Sequence, residues 1–181
     1  MRVSQTEIQG CCVIEPLIFS DDRGYFMESF NHRNLTEALG KEVHFVQDNQ
    51  SSSHRGVLRG LHFQKGEHAQ AKLVFVPQGA VQDVVVDIRK GSPTFGRHIT
   101  VELNDRNKKQ LFIPRGCAHG FLSLDDNTLF MYKCDNYYNK ESERGIRFDD
   151  PFLGIDWRLP PHNLILSDRD MTLPFLKALG L

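Results

Sequence analysis

The chain has 181 residues, a length that suits one well-buried domain, and no Pro/Gly/Ser-rich linker divides it. Its 22 basic and 23 acidic side chains give a formal net charge of −1, so it has no overall positive field to attract nucleic acid or an anionic membrane. An anionic ligand would therefore be held by local cations. We expect residues 1–181 to form a single domain.

The N-terminal stretch and the cysteines indicate a cytosolic protein. Residues 1–9 lack an apolar core, and no run approaches the roughly 18 apolar residues that a membrane span needs. The four cysteines include the adjacent pair Cys11 and Cys12, and no CxxC motif occurs. This pattern fits neither a zinc site nor a secreted disulfide framework, so reduced, packed thiols are expected.

Short runs of β-favouring residues follow one another along the chain, with turn signals such as Asp21–Gly24 and Pro114–Gly116 between them. Regular short strands of this kind predict an all-β sandwich or barrel. Helical periodicity is confined to residues 31–39, with a cap near Asn31, and to a short piece from Met171 to the C-terminus. The predicted strands span residues 12–19, 25–30, 43–47, 57–63, 71–76, 80–88, 98–103, 110–113, 118–124 and 129–134.

The segment Arg59-Gly60-Leu61-His62-Phe63-Gln64 mixes polar and apolar residues, as a strand does when one face is buried and the other lines a cavity. Arg59 and His62 are three residues apart and would lie on opposite faces of a regular strand. Gly60 is the natural position for a bulge that turns both side chains toward one pocket. The alternative is a core histidine beside a surface arginine, and the spacing alone does not decide between the two.

A second histidine follows a turn further along the chain. Residues 114–119 have the form PxGxxH, in which a turn leads into a strand near His119. The nearly continuous apolar run Val84–Ile88 lies between the two motifs and is expected to cross the middle of a sandwich. His62 and His119 could therefore converge on one site.

The pairing of a Gly-x-His strand with a later PxGxxH strand resembles the cupin jelly roll. Many cupins bind a metal through two histidines and a glutamate of the first motif and the histidine of the second, because such ions need at least three protein ligands. Here Gln64 occupies the second ligand position, and His68 lies in a polar turn where we expect it to be exposed. We therefore expect a site that holds no metal.

Several longer strings between residues 12 and 170 carry a more specific resemblance. They are DDRGYFMESF, FVQDNQS, VLRGLHFQ, AQAKLV, VDIRKGSPTFG, QLFIPRGCAHGF, MYKCDNYY and ILSDRD. Together they resemble the dTDP-4-dehydrorhamnose 3,5-epimerase family. The resemblance implies an enzyme without a cofactor that inverts C3 and C5 of a dTDP-4-keto-6-deoxyhexose. It also implies a jelly-roll homodimer in which residues 23–28 could contribute to the pocket of the neighbouring subunit.

Inversion beside a ketone requires a base on one face of the sugar, an acid on the other, and a cation or donor at the enolate oxygen. The resemblance implies that His62 is the base and that Asp170 fixes its tautomer and stabilises the imidazolium. It further implies that Tyr132 is the acid and that Lys72 lies near the C4 oxygen. From the residues alone, Asp170 could instead cap the terminal helix, Tyr132 could be a packed strand tyrosine, and Lys72 could face solvent.

The nucleotide requires cations for its diphosphate and a flat or hydrogen-bonding surface for its base. The resemblance implies that Arg23, Arg59 and Arg169 contact the phosphates, because guanidinium forks suit phosphate oxygens. The other substrate contacts that it implies are Phe26, Glu28, Gln47, Asn49, His119, Tyr138 and Glu143.

Other interpretations are compatible with the sequence. A relative that inverts only C3, or that moves the ketone between C3 and C4, would share the scaffold and the base. A metal-dependent cupin oxygenase and a non-catalytic cupin that binds a nucleotide sugar belong to different classes. The non-catalytic alternative leaves the set of His62, Asp170 and Tyr132 without a purpose. The presence of Tyr132, Lys72 and Asp170 together favours the double epimerase, which is the function we expect.

Overall fold

The computed structural model describes residues 1–180, which form two antiparallel sheets and a separate hairpin. In chain order the strands are β1 (Arg2–Gln5), β2 (Cys12–Glu15), β3 (Ile18–Asp21), β4 (Gly24–Met27), β5 (Gln47–Ser53), β6 (Leu58–Gln64), β7 (Lys72–Gln78), β8 (Ala80–Asp87), β9 (His98–Asn104), β10 (Gln110–Ile113), β11 (Cys117–Ser123), β12 (Thr128–Cys134) and β13 (Glu143–Gly145). The six-stranded sheet has the order β1-β2-β10-β7-β12-β5, and the five-stranded sheet has the order β13-β6-β11-β8-β9. Strands β3 and β4 pair only with each other.

The two larger sheets pack face to face through an apolar core. Val74 of β7 and Phe130 of β12 contribute from the six-stranded sheet, and Val85 of β8 and Phe121 of β11 contribute from the five-stranded sheet. Burial of both inner faces is the dominant favourable term for such a sandwich. The prediction of an all-β, jelly-roll sandwich is confirmed.

Strand β8 is buried on both faces, which explains its nearly continuous apolar run around Val84–Val86. Val85 points into the core between the sheets, while Val84 and Val86 point outward into a second apolar cluster. The C-terminal segment covers that outer face with residues such as Leu153 and Leu176. A strand covered on both sides needs no polar face.

The helices are short and lie at the edge of the sandwich. Helix α1 (His32–Leu39) begins after Asn31, whose side chain accepts a hydrogen bond from the Asn34 backbone at 3.1 Å, and ends at Gly40. Helix α2 (Asp168–Met171) is a single turn. No helix within residues 1–180 has the length and apolarity needed to cross a bilayer. Short 3₁₀ turns span Gly66–His68, Pro161–Asn163 and Leu176–Leu179.

The predicted strand boundaries were wrong where polar residues form a strand. Residues 43–46 are not a strand, and β5 begins at Gln47 because its backbone pairs with β12 from Cys134 onward. Its sequence, QDNQSSS, has none of the apolar residues that the prediction looked for. Strands β1 and β13 were also missed.

Proline residues account for two further corrections. The predicted strand 12–19 is divided into β2 and β3 around Pro16, which has no backbone N–H to continue the ladder. The predicted helix from Met171 is reduced to the last residue of α2 and a 3₁₀ turn beyond Pro174. Its final position, Leu181, lies outside the described residues. The predicted strand 25–30 ends at Met27.

All four cysteines are free and buried, as expected. Burial raises the pKa of the Cys117 thiol to about 12 and that of the Cys134 thiol to about 11. Both thiols are therefore protonated at neutral pH and behave as small apolar side chains.

Gly60 forms the predicted bulge in β6. His62 pairs with His119 of β11, and Arg59 pairs with Phe121, so β6 has one more residue than β11 between these two pairs. Residues that pair directly point to the same side of a sheet. His119 and Phe121 are two residues apart on β11 and therefore point to one face, the face that carries the inner core. Arg59 and His62 consequently share that face of the sheet. The prediction that a bulge at Gly60 turns both side chains the same way is confirmed.

Replacing Gly60 by Ala should lower the free energy of unfolding by about 1–3 kcal/mol, because the methyl group has no room. An added Cβ would lie 2.6 Å from Gly120 Cα and 2.9 Å from the His119 carbonyl oxygen, at a φ of +126°. Gly66→Ala is the matched control, since Gly66 also has a positive φ but open space around it. Urea unfolding measures both variants, and a Gly60→Ala protein no less stable than Gly66→Ala would contradict this explanation.

Candidate active site

A cavity of about 550 Å³ opens between the two sheets. His62 of β6 lies on the wall formed by the five-stranded sheet, and Lys72 of β7 and Tyr132 of β12 lie on the wall formed by the six-stranded sheet. Asp170 of α2 reaches the same cavity. An adjoining recess of about 260 Å³ shares His62, Lys72 and Tyr132. The structure thus brings together all four residues predicted to be catalytic.

His62 and Asp170 form a hydrogen-bonded pair across a sequence separation of 108 residues. His62 Nε2 lies 2.6 Å from Asp170 Oδ1, and the Asp170 side chain is only 6% exposed. Burial acts to raise the pKa of Asp170, but the hydrogen bond and charge of His62 outweigh it, so this pKa is lowered. An ionised carboxylate only accepts hydrogen bonds, so His62 Nε2 donates to Asp170, and in the neutral imidazole Nδ1 has the lone pair that a base needs.

Helix α2 directs the Asp170 side chain toward β6. Ser167 is the N-cap of this helix, and its hydroxyl accepts a hydrogen bond from the Asp170 backbone N–H at 3.1 Å. The alternative in which Asp170 caps the terminal helix is therefore wrong. Because Ser167 takes that role, the carboxylate of Asp170 is left for His62.

The opposite wall carries a phenol and an amine. Lys72 Nζ lies 5.6 Å from the centroid of the Tyr132 ring. Burial raises the pKa of Tyr132, which keeps the phenol protonated at neutral pH and able to donate. Burial lowers the pKa of Lys72, while nearby acidic groups, including Asp83, act in the other direction. Lys72 faces the cavity, so the alternative of a solvent-facing lysine is wrong.

A second histidine–carboxylate pair lies deeper between the sheets. His119 Nε2 lies 2.9 Å from Asp83 Oδ2, and the His119 ring stacks on Phe130. Asp83 is fully buried, and its other oxygen, Oδ1, has no partner within residues 1–180. A buried carboxylate costs free energy unless it is paired, and His119 is the partner of Asp83. The contact also holds His119 in place beside His62, its neighbour on β6.

Sequence reasoning missed Asp83. It stands in the run Val81-Gln82-Asp83-Val84-Val85 of β8, a strand that is buried over nearly its whole length. A charged residue in a strand buried on both sides was the signal that could have found it.

The mouth of the cavity carries two guanidinium groups. Arg169 lies 2.7 Å from Glu143 Oε2, and the Tyr138 hydroxyl donates to the same oxygen at 2.8 Å. Burial acts to raise the pKa of Glu143, but the bonds from Arg169 and Tyr138 outweigh it, so this pKa is lowered. Arg59 donates to Ser53 Oγ at 3.2 Å and also lines the cavity. This rim presents positive charge and an exposed aromatic ring.

The adjoining recess holds the predicted amide side chains. Gln47 Nε2 donates to Asn49 Oδ1 at 2.9 Å, and the Tyr138 backbone N–H donates to Gln47 Oε1 at 3.1 Å. Gln64, which stands where many cupins have a ligand, instead ties loops together. Its amide donates to the carbonyls of His68 and Tyr137 and accepts from the backbone of Asn139 at 2.6 Å.

Three predicted substrate contacts lie outside both the cavity and the recess of the single chain. Arg23 is at the tip of the β3–β4 hairpin, bonded to Asp21, and Phe26 is on β4 of the same hairpin. Glu28 follows β4 and accepts hydrogen bonds from the amides of Asn31 and Asn34. Within residues 1–180 of one chain, none of these three residues lines the cavity or the recess that contains His62.

Comparison with known proteins gives concordant matches over nearly the whole chain. The model of the family described as dTDP-4-dehydrorhamnose 3,5-epimerase matches residues 5–178. A protein of that description from Shigella flexneri is 52% identical over 171 residues, which cover 94% of this chain and 93% of the relative.

Two solved structures are also similar to this chain. A dTDP-6-deoxy-D-glucose-3,5-epimerase from Legionella pneumophila, in complex with dTDP-4-keto-L-rhamnose, is 48% identical with a TM-score of 0.93, and the match covers 97% of this chain and 93% of that one. A 3′-monoepimerase from Streptomyces bikiniensis, in complex with dTDP-quinovose, is 38% identical with a TM-score of 0.89. That match covers 97% of this chain and 90% of the other.

Proposed function

Because the chain belongs to the dTDP-4-dehydrorhamnose 3,5-epimerase family, we propose that it inverts C3 and C5 of dTDP-4-dehydro-6-deoxy-D-glucose to give dTDP-4-dehydro-L-rhamnose. One observation carries the proposal: the His62–Asp170 pair faces Tyr132 and Lys72 across one cavity. We further propose that the reaction takes place in the cytosol and needs neither a metal nor another cofactor.

The C4 ketone acidifies the C–H bonds at both neighbouring carbons, so one carbonyl serves both inversions. His62 takes a proton from one face of the sugar ring, and the ionised Asp170 stabilises the imidazolium that forms. The electron pair of the broken C–H bond moves to the C4 oxygen, where the ammonium of Lys72 stabilises the enolate. Tyr132 then donates a proton to the same carbon from the opposite face. Solvent restores both groups before the second inversion.

The rim residues suit the nucleotide part of the substrate. Arg59 and Arg169 would contact the diphosphate. Their guanidinium groups supply positive charge locally, which the chain as a whole does not have. Tyr138 offers an exposed ring on which a thymine could stack, and Glu143 holds Arg169 and Tyr138 in place.

The product tests this proposal. After dialysis against a chelator, the protein should convert dTDP-4-dehydro-6-deoxy-D-glucose into a sugar inverted at both C3 and C5, as read by NMR from the H2–H3 coupling for C3 and from the nuclear Overhauser contacts of H5 for C5. No conversion would contradict the proposal. Conversion only after a metal is added back would favour a metal-dependent cupin instead.

The similarity to a 3′-monoepimerase supports one alternative, inversion at C3 alone. Such an enzyme would use the same base and the same ketone. The identity to that protein is 38%, against 48% and 52% for the 3,5-epimerases, so the double inversion is the better supported function.

We also propose that the active form is a homodimer in which the β3–β4 hairpin completes the neighbour's site. Phe19 is 58% exposed and Phe26 is 68% exposed on this hairpin, which pairs with neither main sheet. Large exposed apolar side chains on an unpaired hairpin favour burial against another surface. A two-fold dimer would cover them and would bring Arg23 and Glu28 to a second cavity.

Mixing two inactive variants tests the shared site. Arg23→Ala should bind substrate poorly, and His62→Ala should lack its base. If Arg23 acts on the neighbour, each mixed dimer formed on co-expression has one site with both native residues and one site with neither. Random pairing makes about half of the dimers mixed, so about a quarter of the wild-type activity should return. Activity that stays at the level of the separate variants would place Arg23 in its own chain's site or outside the site.

A further inference from the structure

A cluster of histidine and carboxylate side chains lies on the outside of the six-stranded sheet, away from the cavity. Helix α1 and residues 41–46 cover that outer face, with Leu35, Val43 and Phe45 packed against it. Because side chains alternate along an extended segment, Glu42 and His44 point outward while Val43 and Phe45 point inward.

The three donor groups of the cluster converge from two elements. His32, the first residue of α1, places its Nε2 atom 3.3 Å from Glu42 Oε1, and His44 places its Nε2 atom 3.0 Å from the same oxygen. The two imidazole rings stack with centroids 4.9 Å apart. One donor atom from each residue lies within 4.8 Å of the other two.

These separations suit a tetrahedral metal site. With metal–donor bonds of 2.0–2.1 Å, neighbouring donor atoms of a tetrahedral zinc site are about 3.3 Å apart. The two nitrogen-to-oxygen separations, 3.3 and 3.0 Å, are close to this length, and all three donor atoms lie within 4.8 Å of one another. Imidazole nitrogens with one carboxylate oxygen are a ligand set that zinc and its neighbours in the transition series accept.

We propose that His32, Glu42 and His44 form a surface binding site for a divalent transition metal of the zinc type, with solvent as the fourth ligand. The bound metal ties the first turn of α1 to the segment that leads into β5. It therefore stabilises the covering layer over the outer face of the sheet and takes no part in the chemistry of the cavity. The rival explanation is an ion-pair cluster of protonated imidazoles around Glu42, which would bind no metal.

Titration with zinc chloride tests the site on full-length protein without a polyhistidine tag, stripped with a chelator and kept in a phosphine reductant. Calorimetry should show one saturable site in the wild type, and zinc should raise the Tm. Removing a residue that only hydrogen-bonds to a metal ligand typically lowers metal affinity about 10- to 100-fold. Removing a ligand itself should cost at least as much, so His44→Ala and Glu42→Gln should each weaken zinc binding at least about tenfold and reduce the Tm shift.

The matched control is His54→Ala. The His54 side chain is 79% exposed, against 70% for His44, and lies near a different carboxylate, Asp126. This variant should bind zinc as the wild type does. No saturable binding at millimolar zinc would overturn the proposal. So would His44→Ala and Glu42→Gln proteins with wild-type affinity, or an equal loss of affinity in His54→Ala.

Discussion

Replacing His62 by Ala should lower kcat by about 10² to 10⁴-fold, while nucleotide affinity stays close to wild type. The loss is that of a positioned base, equivalent to about 3–5 kcal/mol of transition-state stabilisation. The rim groups Arg59, Arg169 and Tyr138 that should bind the nucleotide are not altered. Single-turnover kinetics and dTDP titration measure the two effects separately.

The His62→Ala change also leaves Asp170 buried without its partner, so a folding defect must be separated from a chemical one. His62→Gln provides an amide donor for the carboxylate but no base. It should fold like the wild type and be as inactive as His62→Ala. Asp170→Asn should be impaired in the same direction but less, because the imidazole loses its orienting partner only. His68→Ala is the control, because His68 lies outside the cavity, and it should turn over substrate as the wild type does. Near-normal turnover in His62→Gln would show that His62 is not the base.

Replacing Tyr132 by Phe should suppress inversion by about 10²-fold or more, yet leave exchange of substrate protons with solvent. The variant removes one hydroxyl group and keeps the ring that packs beside Phe130 and Lys72. His62 can still remove a proton and return it, or solvent deuterium, to the same face. In D₂O the starting sugar should therefore gain deuterium with retained configuration.

Tyr137→Phe is the matched control, because the Tyr137 side chain is exposed and lines neither the cavity nor the recess. It should invert at the wild-type rate. If Tyr132→Phe lowered the rate of inversion no more than the rate of proton exchange, a group other than Tyr132 would have to deliver the proton from the opposite face.

The sequence predicted the fold where its residues follow the burial pattern. Strands β7, β8, β11 and β12 carry apolar residues at the period of a buried sheet, and their positions were predicted to within a few residues. The position of strand β5 was predicted wrongly because its polar side chains do not alternate with apolar ones. Backbone hydrogen bonds to β12 determine where this strand lies.

The catalytic set could be predicted only in part from the residues themselves. The spacing of Arg59 and His62 around Gly60 indicated a bulge, which is a local property of the strand. The pairing of His62 with Asp170 joins residues 108 positions apart, and no local pattern encodes it, so the resemblance to known epimerases supplied it. Asp83 was missed although its partner, His119, is nearer in sequence, at 36 residues, because no local pattern links the two positions.

Deuterium incorporation by the wild-type protein in D₂O tests most directly whether one ketone serves two inversions. Each deprotonation is followed by delivery of a solvent-derived proton, so deuterium marks every carbon at which the base has acted. We expect deuterium at both C3 and C5 of the inverted sugar, read by NMR and mass spectrometry. A ketoisomerase would give a 3-keto product with no label at C5, and a binding protein would label nothing. Deuterium at C3 alone, with the substrate fully consumed, would contradict the double epimerisation.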